Sequence, residues 1–213
     1  MKKQLAALWR DNKGFLVFIV LMFAVRSSFA DWYNVPTGSM LPTIVEGDRI
    51  FVNKAAYRID IPFTDISVME TGNPERGDIV VFESKAADNR LVKRVVGLPG
   101  DRLAMQANRL FINGKPLFYD DRNDGEKIEH LGDVAHPIQL VKNDSTLTSF
   151  SPVTVPANHI LVLGDNRNNS ADSRVYGFVP VHELQGKAIS VIFSLDADNY
   201  FAPRSSRYLK PMI

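Results

Sequence analysis

From Gly14 to Val25 the chain is apolar at every position, with Lys13 before the run and Arg26 after it. A helix half-exposed to water would carry polar residues every third or fourth position, so this run predicts a helix that is apolar on every face. Twelve residues fall short of the roughly 20 that a spanning helix needs. Ser27 to Ala30 extend the segment to 17 residues, about 25 Å at about 1.5 Å per residue, which reaches across a bilayer if Arg26 snorkels toward the headgroups. Trp32 and Tyr33 then stand where aromatic side chains collect at a membrane surface. Residues 14–30 are therefore expected to form a transmembrane helix. Two other readings stay open: a removable signal peptide, since Ser28-Phe29-Ala30 resembles a small-x-small cleavage site, and a core helix of a soluble protein.

Beyond Asp31 the pattern changes to short strands. Arg49–Lys54, Asp78–Glu83, Arg90–Gly97, His159–Gly164 and Ala188–Ser194 are rich in Val, Ile and Phe and are bounded by Gly, Pro, Asp or Asn. Arg109 to Leu117 predicts a hairpin, because Asn113-Gly114 supplies the positive φ angles of a tight turn. Phe118–Asn158 is polar, with Asp120, Asp121, Asp124 and Gly125 near its start, and reads as a surface insertion or small subdomain over 118–158. The expected fold is mainly β, with coiled antiparallel sheets in a soluble domain over 31–213, preceded by one N-terminal transmembrane helix and a segment 1–13.

Charge changes this picture in one respect. Residues 1–13 carry Lys2, Lys3, Arg10 and Lys13 against Asp11, an excess that predicts the amino terminus in the cytoplasm and residues 31–213 outside, with the phospholipid bilayer as a partner. Taking the five cations and one acid of the first 26 residues from totals of 25 and 24 leaves 20 basic and 23 acidic residues, so the remainder is mildly acidic. A chain of net charge +1 has no basic stripe, and nucleic acid is not an expected partner. The absence of cysteine excludes disulfides, thiolate metal sites and a cysteine nucleophile. His130, His136, His159 and His182 sit in no zinc-helix or nucleophile-elbow motif.

Three segments carry candidate chemistry. In Val35-Pro-Thr-Gly-Ser-Met-Leu-Pro-Thr43 the prolines stiffen the chain and Gly38 permits a tight backbone, so Ser39 is held exposed on a fixed turn; taken alone, this is a loop. In Arg90-Leu-Val-Lys-Arg-Val-Val-Gly-Leu-Pro-Gly-Asp101, strand alternation puts Leu91, Lys93 and Val95 on one face. That arrangement suits either a desolvated amine or an edge lysine facing water. Gly164-Asp-Asn-Arg-Asn-Asn-Ser-Ala-Asp-Ser-Arg174 is a polar turn after an apolar strand. Calcium is not expected there, because Ser170 occupies the place where an EF-hand loop needs Gly.

Together with Gly77-Asp-Ile-Val-Val-Phe82, these segments resemble signal peptidase I, or leader peptidase. That family places a Ser-Gly-Ser-Met box after a membrane helix, then a Lys-Arg-Val-x-Gly-x-Pro-Gly-Asp box and a Gly-Asp-Asn-x-x-x-Ser-x-Asp-Ser-Arg box. The resemblance implies a serine endopeptidase that removes signal peptides from translocated preproteins, without metal or other cofactor. It also implies a single-pass protein of the inner (plasma) membrane, with a cytoplasmic amino terminus and a periplasmic catalytic domain. Ser39 would attack the scissile carbonyl, Lys93 would take its proton and Ser170 would orient the amine. Asp172 and Arg174 would pair beneath the loop. The Ser39 N–H and the Thr37 hydroxyl would form the oxyanion hole. The family usually has Ser at that second position, and the extra methyl of Thr37 restricts its rotamer.

Small side chains are implied at the first and third positions before the cut, and Val35, Met40, Ile44 and Val92 are the candidates to line shallow pockets for them. An ordinary lysine is neutral in only about 1 in 2,500 molecules at pH 7, so Lys93 needs an apolar site that lowers its pKa. Two other readings are another Ser/Lys peptidase and a non-catalytic membrane-tethered β module.

Overall fold

A computed structural model describes residues 2–64, 66–122, 125–141 and 145–212, with side chains from Asn12 onward. Asp124, part of the acidic cluster read above, lies outside these residues. The chain opens with α1 (Lys2–Ser28) and continues through β1 (Ala30–Asn34), β2 (Asp48–Asn53), β3 (Arg58–Asp60), β4 (Ser67–Glu70), β5 (Ile79–Ser84), β6 (Asn89–Gly97) and β7 (Arg102–Gln106). Next come β8 (Arg109–Ile112), β9 (Lys115–Pro116), β10 (Phe118–Asp121), β11 (Glu126–Leu131), β12 (Val134–Gln139), β13 (Phe150–Thr154) and β14 (His159–Leu163). A one-turn helix, α2 (Ser173–Tyr176), precedes β15 (Val179–Pro180) and the long β16 (Leu184–Asp196), and β17 (Ala202–Pro203) and β18 (Lys210–Pro211) both pair with β16.

The helix differs from its expected bounds at both ends. It begins at Lys2, and it stops at Ser28 because strand pairing takes over: Ala30 already lies opposite Asn53, and the Phe29 carbonyl accepts from the Lys54 N–H at 2.9 Å. Phe15, Val17, Phe18, Val20 and Leu21 are exposed along it. Among the described residues, no helix is long and apolar enough to cross a membrane.

The main sheet runs β1-β2-β16-β5-β6-β14-β15, with antiparallel neighbours throughout. β5 shows why it coils around itself. Ile79, Val80, Val81 and Phe82 are all buried, the signature of a strand covered on both faces. Alternation sends Ile79 and Val81 into one apolar cluster and Val80 and Phe82 into another. Burying each such side chain contributes roughly 1.5–3 kcal/mol. β16 closes the coil by pairing β2 on one side and β5 on the other, with register shifts that bend it.

A second sheet, β13-β7-β8-β9, packs around Leu103, Met105 and Leu110. Its β8–β9 turn carries Asn113 at φ +53° and Gly114 at φ +80°, the left-handed pair the sequence implied. The 118–158 segment does not form one unit. β10, β11 and β12 make a three-stranded meander, whereas β13 joins the second sheet opposite Met105 and Leu103. It is not laid on the surface either, because Glu129, Leu131, His136 and Ile138 are buried and the Gln139 N–H donates to the Asp165 carbonyl at 2.8 Å.

Candidate active site

Ser39 lies in the middle of a tight turn, Gly38–Met40, entered from an extended Thr37 and closed by the Leu41 N–H on the Gly38 carbonyl at 3.1 Å. The loop after β14 grips this turn by its backbone. The Asn166 N–H donates to the Ser39 carbonyl at 3.1 Å and its side-chain amide donates to the Gly38 carbonyl at 3.0 Å. The close approach requires glycine at 164: a Cβ there would lie 2.2 Å from Ser170 Oγ and 2.5 Å from the Ser39 carbonyl oxygen. Thr37 is exposed and makes no capping bond to the turn, so its hydroxyl is free to face a ligand.

Lys93 reaches the turn from β6, 54 positions away in sequence. Its Nζ lies 2.7 Å from Ser39 Oγ and 3.0 Å from the Val92 carbonyl oxygen. The contact to Ser39 serves either protonation state: an ammonium donates to the hydroxyl, and a neutral amine accepts its proton. The side chain is buried rather than facing water, and burial lowers its pKa from 10.5 to about 8, opposed by the nearby charges of Asp172 and Asp165.

Ser170 differs from its expected place as the second partner of the amine. Its hydroxyl donates to Asp172 Oδ2 at 2.8 Å, and the second bond of Lys93 goes to its neighbour's carbonyl. Asp172 draws the hydroxyl away because its carboxylate is the hub of the loop. It also accepts from the Gly164 N–H at 2.9 Å and pairs with Arg174 through two bonds of 2.8 and 2.7 Å. Arg174 extends the brace to the Leu147 carbonyl at 2.7 Å.

Two further buried ion pairs stand behind the site, and the sequence reading did not find them. Arg94 binds Asp165 through Nε at 2.9 Å and Nη2 at 2.8 Å, and its Nη1 caps the Gly77 carbonyl at 2.8 Å. Asp165 also accepts from the Thr43 hydroxyl, tying the end of the Ser39 segment to the same carboxylate. Arg167 makes a two-point pair with Glu129 of β11, whose carboxylate accepts from the Tyr119 hydroxyl at 2.7 Å. His136 lies between the pairs, fully buried, with Nε2 3.5 Å from Glu129 Oε1 and 3.7 Å from Asp165 Oδ1. Burial, then the charge of Arg94, depresses its pKa to about 4. The signal for Arg94 was a charge inside the run Val92 to Val96, since an arginine is almost never fully buried without a partner. Its partner stands 71 positions away and left no local mark.

The candidate wall residues share one apolar cluster. Val35, Met40 and Ile44 are buried in it with Ile50, and Val92 packs against it half-exposed. Beside this cluster two strand edges are open among the described residues. β1 pairs only with β2, and β14 pairs with β6 only from Arg94 to Gly97, leaving Asn89 to Lys93 without a neighbour on that side. Such edges present unpaired N–H and C=O groups to an extended peptide. No grouping of three or more His, Cys, Asp or Glu able to hold a metal ion occurs among the described residues.

The family described as signal peptidase, peptidase S26, matches residues 9–193. A signal peptidase I of Pseudomonas fluorescens is 37% identical over 203 residues, covering 86% of this chain and 72% of its own length. That of Pseudomonas aeruginosa is 35% identical over 205 residues, with the same coverage. A signal peptidase I P of Bacillus subtilis subsp. natto is 35% identical over 186 residues, covering 86% of this chain and 88% of its own.

Proposed function

Because this chain belongs to the signal peptidase family, peptidase S26, we propose that its removal of signal peptides from preproteins runs through a dyad of Ser39 and Lys93. The observation that carries this reading is the 2.7 Å contact between a buried lysine amine and a serine hydroxyl on a fixed turn. With a pKa of about 8, roughly one lysine in ten is neutral at pH 7, against about one in 2,500 for an unperturbed side chain.

The neutral amine takes the hydroxyl proton as Ser39 Oγ attacks the scissile carbonyl. The Ser39 N–H and the Thr37 hydroxyl hold the oxyanion. The resulting ammonium returns its proton to the leaving amine, and an acyl-enzyme remains. A water molecule, deprotonated by the same lysine, then hydrolyses the ester and restores Ser39. Asp172, paired with Arg174 and holding Ser170 and Gly164, positions the loop against the turn.

The substrate lies extended between the open edges of β1 and Asn89–Lys93, with small side chains against Val35, Met40, Ile44 and Val92. Residues 1–13 are cytoplasmic, the apolar part of α1 from residue 14 to Ser28 is the anchor, and the chain from β1 onward forms the periplasmic catalytic domain. Two observations support placement at a bilayer. Ser39 follows the end of α1 by 11 residues, so at most about 40 Å of chain separates them. The β3–β4 hairpin exposes Ile61, Phe63, Ile66 and Val68, and its Phe63 N–H donates to Ser27 Oγ at 2.8 Å, which keeps this apolar tip beside the helix end.

Incubating a preprotein with the wild type, Ser39→Ala and Lys93→Arg tests the dyad. Cleavage is expected from the wild type alone, since a guanidinium stays protonated at every accessible pH. Equal processing by Ser39→Ala would remove Ser39 as the nucleophile.

A further inference from the structure

The open strip between β1 and the outer half of β6 is crossed by a pair of side chains. The Arg90 guanidinium carbon lies 4.3 Å from the centroid of the Tyr33 ring. Arg90 is held there from the other side, because its Nε donates to Glu83 Oε1 at 2.6 Å and Glu83 is its partner in the β5–β6 register. Tyr33 in turn packs against the apolar cluster that contains Val35 and Met40. The bridge therefore joins one strand edge to the other and rests on the wall of the proposed substrate site.

Its place along the strip follows from strand geometry. Tyr33 precedes Val35 by two residues, and Arg90 precedes Val92 by two. Residues two apart in a strand share a face and stand roughly 6.5–7 Å apart. The Tyr33–Arg90 contact thus repeats the Val35–Val92 seam one step further from Ser39. Beyond Arg94 the edge of β6 is occupied by β14, so the acyl part of a substrate has only the Tyr33–Arg90 end along which to lie. A peptide whose last residue before the cut sits at Val35 and Val92 brings the residue two positions earlier, the third before the cut, under this bridge.

We infer that Arg90, stacked on Tyr33 and held by Glu83, is a specificity-determining residue that limits the third position before the cut to small side chains. This rests on the reading of Ser39 and Lys93 as the catalytic pair. A ring and a guanidinium in van der Waals contact leave no room for a branched side chain between them. A large residue must displace the arginine, whereas alanine or serine passes beneath it. The barrier is soft, because Arg90 and Glu83 are both about half-exposed, with side-chain exposures of 45% and 46%, and exposed ion pairs weaken as salt is added.

The test uses the full chain in detergent micelles and preprotein-derived peptides that differ only in having Ala, Val, Leu or Phe at the third position before the cut. The quantity read is the ratio of kcat/KM for each large residue to that for alanine. Arg90→Ala is expected to raise the Leu-to-Ala and Phe-to-Ala ratios by about 10-fold or more, the low end of the roughly 10- to 200-fold that a hydrophobic pocket commands for a change of one methylene. Glu83→Gln, which frees the arginine without removing it, is expected to raise them less. High salt should shift the wild-type ratios in the same direction. Discrimination at the first position before the cut, set at Val35 and Val92, should stay as in the wild type. Unchanged third-position ratios in both variants, or an equal loss of cleavage for every peptide, would overturn the inference. A wild-type enzyme that cleaves none of the peptides would overturn the catalytic reading beneath it.

Discussion

Asn166 fixes the position of Ser39 without touching its hydroxyl. Its backbone N–H donates to the Ser39 carbonyl at 3.1 Å, and its side-chain amide donates to the Gly38 carbonyl at 3.0 Å. Asn166 is buried, so both bonds form away from competing water. Replacing it with aspartate keeps the shape but turns a donor into an acceptor facing a carbonyl oxygen. Asn166→Asp is therefore expected to lower kcat by about 10- to 100-fold, the scale of a loosened reacting geometry. KM should change less, because the substrate strip is untouched. A kcat unchanged in a folded Asn166→Asp enzyme would show that the Ser39 turn holds itself.

Lys93 sets the pH dependence. Its pKa of about 8 lies below the ordinary lysine value, and only the neutral amine takes a proton, so kcat/KM should rise with pH through about 8 and level off above it. Leu91 lies two residues along the same strand. Leu91→Asp is expected to move the rise to higher pH, because a nearby carboxylate favours the ammonium. A profile from pH 6 to 10 for both enzymes decides it, and a midpoint near 8 that ignores Leu91→Asp would point to another titrating base.

The same depressed pKa predicts a stability effect of opposite benefit. Unfolded Lys93 titrates near 10.5 and the folded side chain near 8, so between these values the unfolded chain holds the proton more tightly and stability rises with pH. Below about pH 8 the full penalty of the buried ammonium applies, on the order of 3 kcal/mol. Lys93→Met should remove activity and raise stability at pH 7 by about 1–3 kcal/mol, measured by denaturant unfolding. A destabilised Lys93→Met would mean that the contacts of the amine outweigh its desolvation.

The oxyanion hole is tested at Thr37. Thr37→Val preserves the branched shape and removes the hydroxyl, and losing one such donor lowers turnover by about 10²–10³, or 2.7–4 kcal/mol. Thr37 is exposed and makes no bond to the turn, so the midpoint of unfolding should hardly move. Full turnover in Thr37→Val would leave the Ser39 N–H as the sole donor of the pair.

The sequence is most readable where a short run of residues dictates its own geometry. Short runs rich in Val, Ile and Phe mark β2, β5, β6, β14 and β16, and Asn113-Gly114 marks its hairpin. Ala107-Asn108, which turns β7 into β8 with φ of +47° and +64°, gives a weaker signal because alanine rarely adopts that conformation. The motif segments around Ser39, Lys93 and Ser170 are readable as candidates, but the direction of the Ser170 hydroxyl is not. The hydroxyl goes to Asp172 two residues on, and only the folded loop shows that this carboxylate and not the Lys93 amine is its partner. The pairs Arg94–Asp165 and Arg167–Glu129 join residues 71 and 38 positions apart, and neither partner alone indicates the other. The 118–158 segment reads as surface because its charges look solvated, yet Glu129 is neutralised inside the molecule by Arg167.

That buried arrangement predicts the acid limit of the fold. His136 has no hydrogen-bond partner on either ring nitrogen among the described residues. The charged groups around it are Arg94, Asp165, Glu129 and Arg167, two cations and two anions already paired with each other. Its folded pKa of about 4 lies below the ordinary 6.5, so the unfolded chain binds the proton first as pH falls. The contribution of His136 is therefore complete above about pH 6.5 and is lost toward pH 4, by about 1.4 kcal/mol per unit within that window. Glu129 and Asp165, both held below their ordinary values of 4.5 and 3.8, add their own losses from about pH 4.5 downward. His136→Gln cannot titrate, and it should flatten the stability curve between pH 6.5 and 4.5 while leaving the steeper fall below it. Its stability at pH 7 will differ from the wild type by the change in packing, so the slope, and not the height, is the quantity to compare. Chemical unfolding at half-unit steps of pH gives that slope. A wild-type curve already flat across the window, or a His136→Gln curve as steep as the wild type, would mean that His136 accepts its proton inside the fold without strain on the two ion pairs behind Ser39.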